Sequence, residues 1–394
     1  MSARLSHAQY VPRSGETWRD PFGMYAALRE HDPVHHVASD DYWVLTRHRD
    51  VLAAVHDHKT FSSAQGLTTE YDELERIGLA DNPPMVMTDP PVHTEFRRLV
   101  SRGFTPRQVE SVEPTVRAFV VDRLDRLLAD GGGDIVADLF KPLPSMVVAH
   151  YLGVPEKDRA RFDAWTDAIV AANATASYDA VADAVGELMG YFTELIEWRR
   201  HAPEDDTVSH LVAAGVAGDD AGLLSVLAFT FTMVTGGNDT STGLLGGAVQ
   251  LLSERPDQRV QARTDLAASV EELLRLTSPV QGLARTTTRD VTIDDTTIPA
   301  GHKVLLCYGA ANRDRDVYGP DADELDVTRD PRVILTFAHG AHHCLGAAAA
   351  RMMGRVALDE LLSRIPDFRV DLDAVTWAEG SYVRRPTYVP LEVL

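Results

Sequence analysis

The segment from Asp219 to Leu252 reads as one helix, with Gly236 and Gly237 at its middle. At 1.5 Å per residue it is roughly 50 Å long, well over twice the usual three to four turns of a globular protein. The remaining chain must pack around such a rod. Its most apolar part, Ala221 to Gly237, carries Ser225, Thr230, Thr232 and Thr235 and is flanked by Asp219, Asp220 and Asp239. Those groups are poorly placed in lipid. The segment is therefore expected to be a buried central helix and not a membrane span.

Other elements follow from periodicity and punctuation. A short helix is expected near Pro21 to Glu30, strands at Val34 to Val37 and Tyr42 to Leu45, and a helix from Asp50. From Pro106 to about Arg200 apolar residues recur at helical spacing, as in Val109, Val112, Val116, Phe119 and Val120. A helix from Leu266 to Thr277 is closed by Pro279, followed by strands Arg285 to Ile293 and Lys303 to Cys307 around the turn-like DDTTIPAG. A last helix spans Leu345 to about Ile365. The class is mainly α with a minor β part, the strands gathered near the N-terminus, around 280–310 and at the C-terminus. No linker composition or fixed-period repeat divides residues 1–394, so a single domain with one large core is expected.

Charge narrows the partners. The chain has 38 basic and 59 acidic side chains, a formal charge of -21, which repels nucleic acid and anionic membranes. The N-terminus MSARLSHAQYVPRSGETW has no apolar core of the signal-peptide kind, so a cytoplasmic protein is expected. Two cysteines, Cys307 and Cys344, exclude a disulfide framework and a four-cysteine metal site within the chain. Cys307, in VLLCY, reads as a small core hydrophobe.

Cys344 is different. It lies in FAHGAHHCLG, a glycine-containing turn opening a long helix, where backbone N–H groups and the helix dipole favour a thiolate, the metal-binding form of sulfur. Zinc is a poor match, because consecutive His342, His343 and Cys344 cannot all face one ion without severe strain. The run instead resembles the haem-binding signature of the cytochrome P-450 family, Phe-x-x-Gly-x-His-x-Cys-x-Gly, matched by Phe337, Gly340, His342, Cys344 and Gly346. Ala338 departs from it, since glycine often follows the phenylalanine.

The resemblance extends from the DPF segment at Asp20 through DPPVHTEFRRLV, GGNDT, EELLRLTSPV and ANRDRDVYGPD, and is closest to soluble bacterial members. It implies the cytochrome P-450 fold, a long central helix over a buried haem b, with Cys344 as the axial ligand of iron. Gly236, Gly237, Asn238, Asp239 and Thr240 resemble the oxygen-binding motif, with Asp239 and Thr240 as a proton relay and the glycines widening the helix. Glu272 and Arg275, otherwise an ordinary i, i+3 pair, become a structural pair of the haem pocket, with Arg329 as the candidate third partner. By family position His93, Arg97, Arg285 and His342 face the haem propionates, Phe337 shields the sulfur, and Gly346 admits the ring. Met85, Met87, Val234, Gly236, Val280, Leu283 and Tyr382 are expected to line the substrate pocket, with 66–87 as a mobile lid.

The implied activity is a haem-thiolate monooxygenase that inserts one oxygen atom from O2 into an apolar small-molecule substrate. Its electrons would come from a ferredoxin and ferredoxin reductase, docking near Arg98, Arg102 and Arg351. A roomy distal site would also take azole-type inhibitors. The alternatives are a peroxygenase using H2O2, which the acid and alcohol pair disfavours, and a non-catalytic haem protein that binds a ligand.

Overall fold

The computed structural model describes residues 9–76, 78–175 and 182–394. Helices take up 56% of the chain and the sheets are small. The central helix runs from Asp220 to Glu254 without a break; Asp219 caps it, its carboxylate accepting from the Gly222 N–H at 2.8 Å. Pro256 opens the next helix, so the rod ends where proline cannot extend it. The backbone does not widen at Gly236 and Gly237 as expected: Thr240, Thr235 and Thr242 each return a hydroxyl to the carbonyl one turn back, and the helix is continuous.

The C-terminal half of the rod is the centre of the largest apolar core. Leu245, Ala248, Val249 and Leu252 have no accessible surface and meet Leu273, Leu276, Val356 and Leu361. Each buried leucine contributes roughly 1.5–3 kcal/mol by leaving water. Neighbouring helices approach closely at Gly237 and Gly247, where a Cβ would lie 2.7 Å from Val148 and 2.8 Å from Thr277. The helix Leu266–Thr277 crosses there, started by Asp265, which accepts from Ala268 N–H, and ended at Ser278 with φ 36.

The main sheet interleaves two distant parts of the sequence in the order Val34–Val37, Tyr42–Leu45, Lys303–Leu306, Leu283–Thr287 and Phe61–Ser62. Tyr42–Leu45 runs parallel to Lys303–Leu306, and the other neighbours are antiparallel. The expected strand from Arg285 to Ile293 is two strands, Leu283–Thr287 and Val291–Ile293. The expected turn DDTTIPAG holds a third, Thr296–Ile298, which closes a hairpin on Val291–Ile293. A three-stranded sheet orders Gly132–Asp134, Pro390–Val393 and Phe368–Val370. Among the described residues no helix is long and apolar enough to cross a membrane.

Candidate haem and oxygen site

Cys344 sits in a closed loop before the helix Ala347–Arg364. Its N–H donates to Phe337 O at 2.8 Å, and the Ala338 N–H donates to Leu335 O at 2.9 Å. Two residues make the reversal. Gly340 has φ 68, and a Cβ on it would stand 2.7 Å from Val55 O. Ala338 has φ 50, the left-handed region, so the departure from glycine is paid in backbone strain. Cys307, by contrast, is buried with Tyr25 and Tyr42.

The loop is tied to the pair at Glu272 and Arg275. These side chains have no exposed surface and join through two bonds of 2.7 Å, while Arg329 Nε reaches the same carboxylate at 3.2 Å. The third partner is therefore Arg329. Arg275 also donates to Asn312 O at 2.7 Å. Asn312 in turn accepts from Leu335 N–H at 2.7 Å and donates to Thr336 Oγ1 at 2.9 Å. Asn312 thus transmits the buried ion pair to the cysteine loop. The sequence reading missed that role; its only signal was an asparagine in the family-like ANRD run.

The thiol of Cys344 has its pKa pushed up, burial being the first cause, against the Gly346 N–H, Arg97 and Arg351. The N–H group at the helix start and the nearby guanidinium groups oppose that shift. Yet Cys344 keeps accessible surface. Deep desolvation and accessible surface agree if the sulfur faces an internal space. Gly346 and Gly236 both adjoin open space, since a Cβ on either meets nothing within 4 Å.

Four basic side chains gather beside the cysteine loop, with Asp89 the carboxylate in electrostatic reach of His93. His93 is 1% exposed and neither ring nitrogen has a hydrogen-bond partner. Its ring lies 4.2 Å from that of His342, whose Nε2 is 3.2 Å from Ser63 Oγ. Among the described residues the guanidinium of Arg285, 4% exposed, donates only to the adjacent Ala284 O. Arg97 is in electrostatic reach of Cys344. His342 is pushed down to about 3, by burial first and then by Arg285, His93 and Arg97. Four basic donors that repel one another, His93 and Arg285 buried and Arg97 and His342 half-buried, fit a group with two carboxylates, as the haem propionates are. The residues present therefore fit a haem lying against Cys344.

On the central helix, Thr240 Oγ1 donates to Gly236 O at 2.8 Å. Asp239 faces away to Arg385, Nε to Oδ1 at 2.8 Å, and burial raises its pKa against that cation. The acid and alcohol are adjacent in sequence but not bonded to each other.

The expected pocket residues divide. Met85 and Met87 are half-buried on a short turn, Val280 and Leu283 are half-buried, and Tyr382 is 37% exposed. Val234 has no accessible surface and packs with the apolar residues of the neighbouring helices, so it lines no open space. The start of the expected lid is fastened as well. Glu73 accepts from Leu67 N–H, Thr68 N–H and Thr68 Oγ1, each at 2.8 Å, and buried Lys303 donates to Gln65 O. Of the expected docking residues, Arg98 and Arg102 are exposed, whereas Arg351 pairs with Glu271 at 2.9 Å and stacks over Phe337 at 4.6 Å.

Comparison with known proteins places these features. Residues 258–376 match the family model described as Cytochrome P450. The chain is 68% identical to Cytochrome P450 130 of Mycobacterium tuberculosis, covering 100% of both. It is 37% identical to the vitamin D(3) 25-hydroxylase of Pseudonocardia autotrophica, covering 96% of this chain and 95% of that one. Among solved structures it is similar to a Bacillus megaterium cytochrome P450 in complex with corticosterone, with TM-score 0.85, 29% identity, and 96% and 99% of the two chains covered.

Proposed function

The chain belongs to the cytochrome P450 family, whose members bind haem through a cysteine thiolate and act as monooxygenases, and we propose that it oxygenates a bulky, mainly apolar small molecule with O2. The observation that carries this reading is the cluster of His93, Arg97, Arg285 and His342 beside the cysteine loop, in which both ring nitrogens of buried His93 lack a hydrogen-bond partner. Cys344 is the iron ligand, and the haem, when bound, supplies the activation of oxygen that no side chain can. His93, Arg97, Arg285 and His342 hold the propionates, Phe337 limits water at the sulfur, and the Gly346 N–H moderates its charge.

Asp239 and Thr240 hold and move protons toward the distal space, and Gly236 leaves room there. The acid and alcohol favour O2 over H2O2 as the oxygen source. The substrate size is supported by the relative named vitamin D(3) 25-hydroxylase and by the corticosterone complex of a neighbour. Met85, Met87, Val280, Leu283 and Tyr382 are its lining, and azole-type compounds fit the same space. Electrons arrive from a ferredoxin and its reductase in the cytoplasm, with Arg98 and Arg102 as the free cations of the docking face.

The test is the difference spectrum of the dithionite-reduced protein with carbon monoxide. A far-red Soret band is expected, lost in Cys344→His and kept in Cys307→Ser. An unchanged band in the Cys344 variant sinks the assignment. Faster turnover with peroxide than with a reductase system would favour the peroxygenase reading.

A further inference from the structure

Arg97 and Arg351 are the two guanidinium groups whose charge reaches the Cys344 sulfur among the described residues. Arg97 belongs with the propionate donors, whereas Arg351 stands on the helix Ala347–Arg364, one turn in from its start. Its guanidinium is gripped on one side and stacked on another. Nε and Nη2 donate to the two carboxylate oxygens of Glu271, Nη2 at 2.9 Å, and Cζ lies 4.6 Å from the centre of the Phe337 ring. Glu271 comes from the helix Leu266–Thr277, next to the buried Glu272 of the loop network. Phe337 is buried, and its carbonyl accepts the Cys344 N–H at 2.8 Å. The ring is thus tied to the residue that carries the sulfur.

A planar guanidinium held by two parallel bonds has one orientation, and over a ring face it is attracted by the π electrons. The Arg351 and Glu271 side chains are 37% and 28% exposed, so their pairing adds little stability. What the pairing fixes is the place of a charge. Arg351 is felt at the sulfur and Glu271 is not, so the pair presents its positive end to the cysteine loop. Uptake of one electron makes a haem and its thiolate more negative by one charge, which a nearby cation favours. Arg355, one turn further along the helix, is a natural control. It is 38% exposed and bonded to Glu113, but its charge is not among those that reach Cys344.

We propose that Arg351 is a positioning residue for the charge around the thiolate: gripped by Glu271 over the Phe337 ring, it holds a cation beside the cysteine loop and makes the haem easier to reduce. The proposal rests on the haem-thiolate reading given above. It gives Glu271 a task separate from that of its neighbour Glu272, because Glu272 joins the arginines that brace the loop and Glu271 sets the charge that the loop feels.

The test is a spectroelectrochemical titration of the holoprotein with small dye mediators, in which no protein donor takes part and docking cannot contribute. The equilibrium constant for one-electron reduction is expected to fall about tenfold in Arg351→Gln, a shift of about 59 mV. It should stay within about threefold of wild type in Arg351→Lys, which keeps the charge, and in Arg355→Gln. In Glu271→Gln the amide oxygen still accepts from the guanidinium while the negative charge is gone, so the constant should rise about threefold. The C–O stretch of the ferrous carbon monoxide complex should fall in Arg351→Gln, because the sulfur then donates more electron density to the iron. An unmoved constant in Arg351→Gln overturns the proposal, as does an equal fall in Arg355→Gln, which would reduce the effect to net charge. Should Arg351→Gln fail to hold haem, Glu271→Gln decides alone, and a constant there that is unchanged or lower overturns the proposal. Absence of the far-red carbon monoxide band in the wild-type protein overturns the haem-thiolate reading itself.

Discussion

Gly340 and Ala338 show how a single backbone dihedral governs the cysteine loop. Gly340 combines φ 68 with a carbonyl 2.7 Å from where a Cβ would be. Gly340→Ala should therefore cost about 1–3 kcal/mol and lower the thermal midpoint of the holoprotein, with haem lost below the wild-type transition. Ala338 adopts the same left-handed region with its methyl buried. Ala338→Gly relieves that strain but gains entropy in the unfolded chain, so the expected gain is under about 1 kcal/mol, read as a small rise in the midpoint. The sequence could signal the departure from glycine at 338. It could not show that alanine there carries a positive φ, because the dihedral is imposed by closing the loop between Leu335 and Cys344.

At the scale of elements, the helix Leu266–Thr277 and the loops packed on it share one buried charge network. Replacing Glu272 with glutamine leaves Arg275 and Arg329 without their common anion, which should cost about 3–5 kcal/mol in chemical denaturation. A second link has a pH signature. His48 opens the helix His48–His56, is 4% exposed, and its Nε2 donates to Val333 O at 2.9 Å, two residues before the cysteine loop begins at Leu335. Burial, opposed by the Val333 bond and Asp314, lowers its pKa from 6.5. The folded state then binds this proton less readily than the unfolded state, so its contribution is whole above pH of about 6.5 and is lost as pH falls below it. His48→Gln should flatten that acid slope in denaturation midpoints measured from pH 7 downward. Helices of this kind were legible: Asp265 caps, Pro279 follows, and Leu266–Thr277 came out with the expected ends. Gly132–Asp134 was not legible, since nothing in Gly-Gly-Asp prefers a strand until Pro390–Val393 pairs with it.

For the whole molecule, the charge of -21 means that an acidic electron donor must find the few uncompensated cations. Arg98 and Arg102 are exposed, whereas Arg351 is held by Glu271 and by the Phe337 ring. Charge reversal at Arg98 and Arg102 should slow association with an acidic ferredoxin about tenfold at low ionic strength, an effect that shrinks as salt is raised. Stopped-flow reduction over a salt series checks it; equal rates at low salt would move the docking face elsewhere.

The sequence alone determined what is carried by contiguous residues: the rod from Asp219, the glycine-cysteine loop around Cys344, and the Glu272 and Arg275 spacing. Such motifs are legible because their chemistry requires particular side chains within a turn or two of each other. Only the tertiary structure decided that Asp239 answers to Arg385, that Asn312 carries the ion pair to the loop, and that Val234 is inside the core instead of the pocket. These depend on which distant segments pack together and on where a missing Cβ lets them touch, as at Gly243. No local pattern specifies that, because the partner's position is set by the closure of the entire fold.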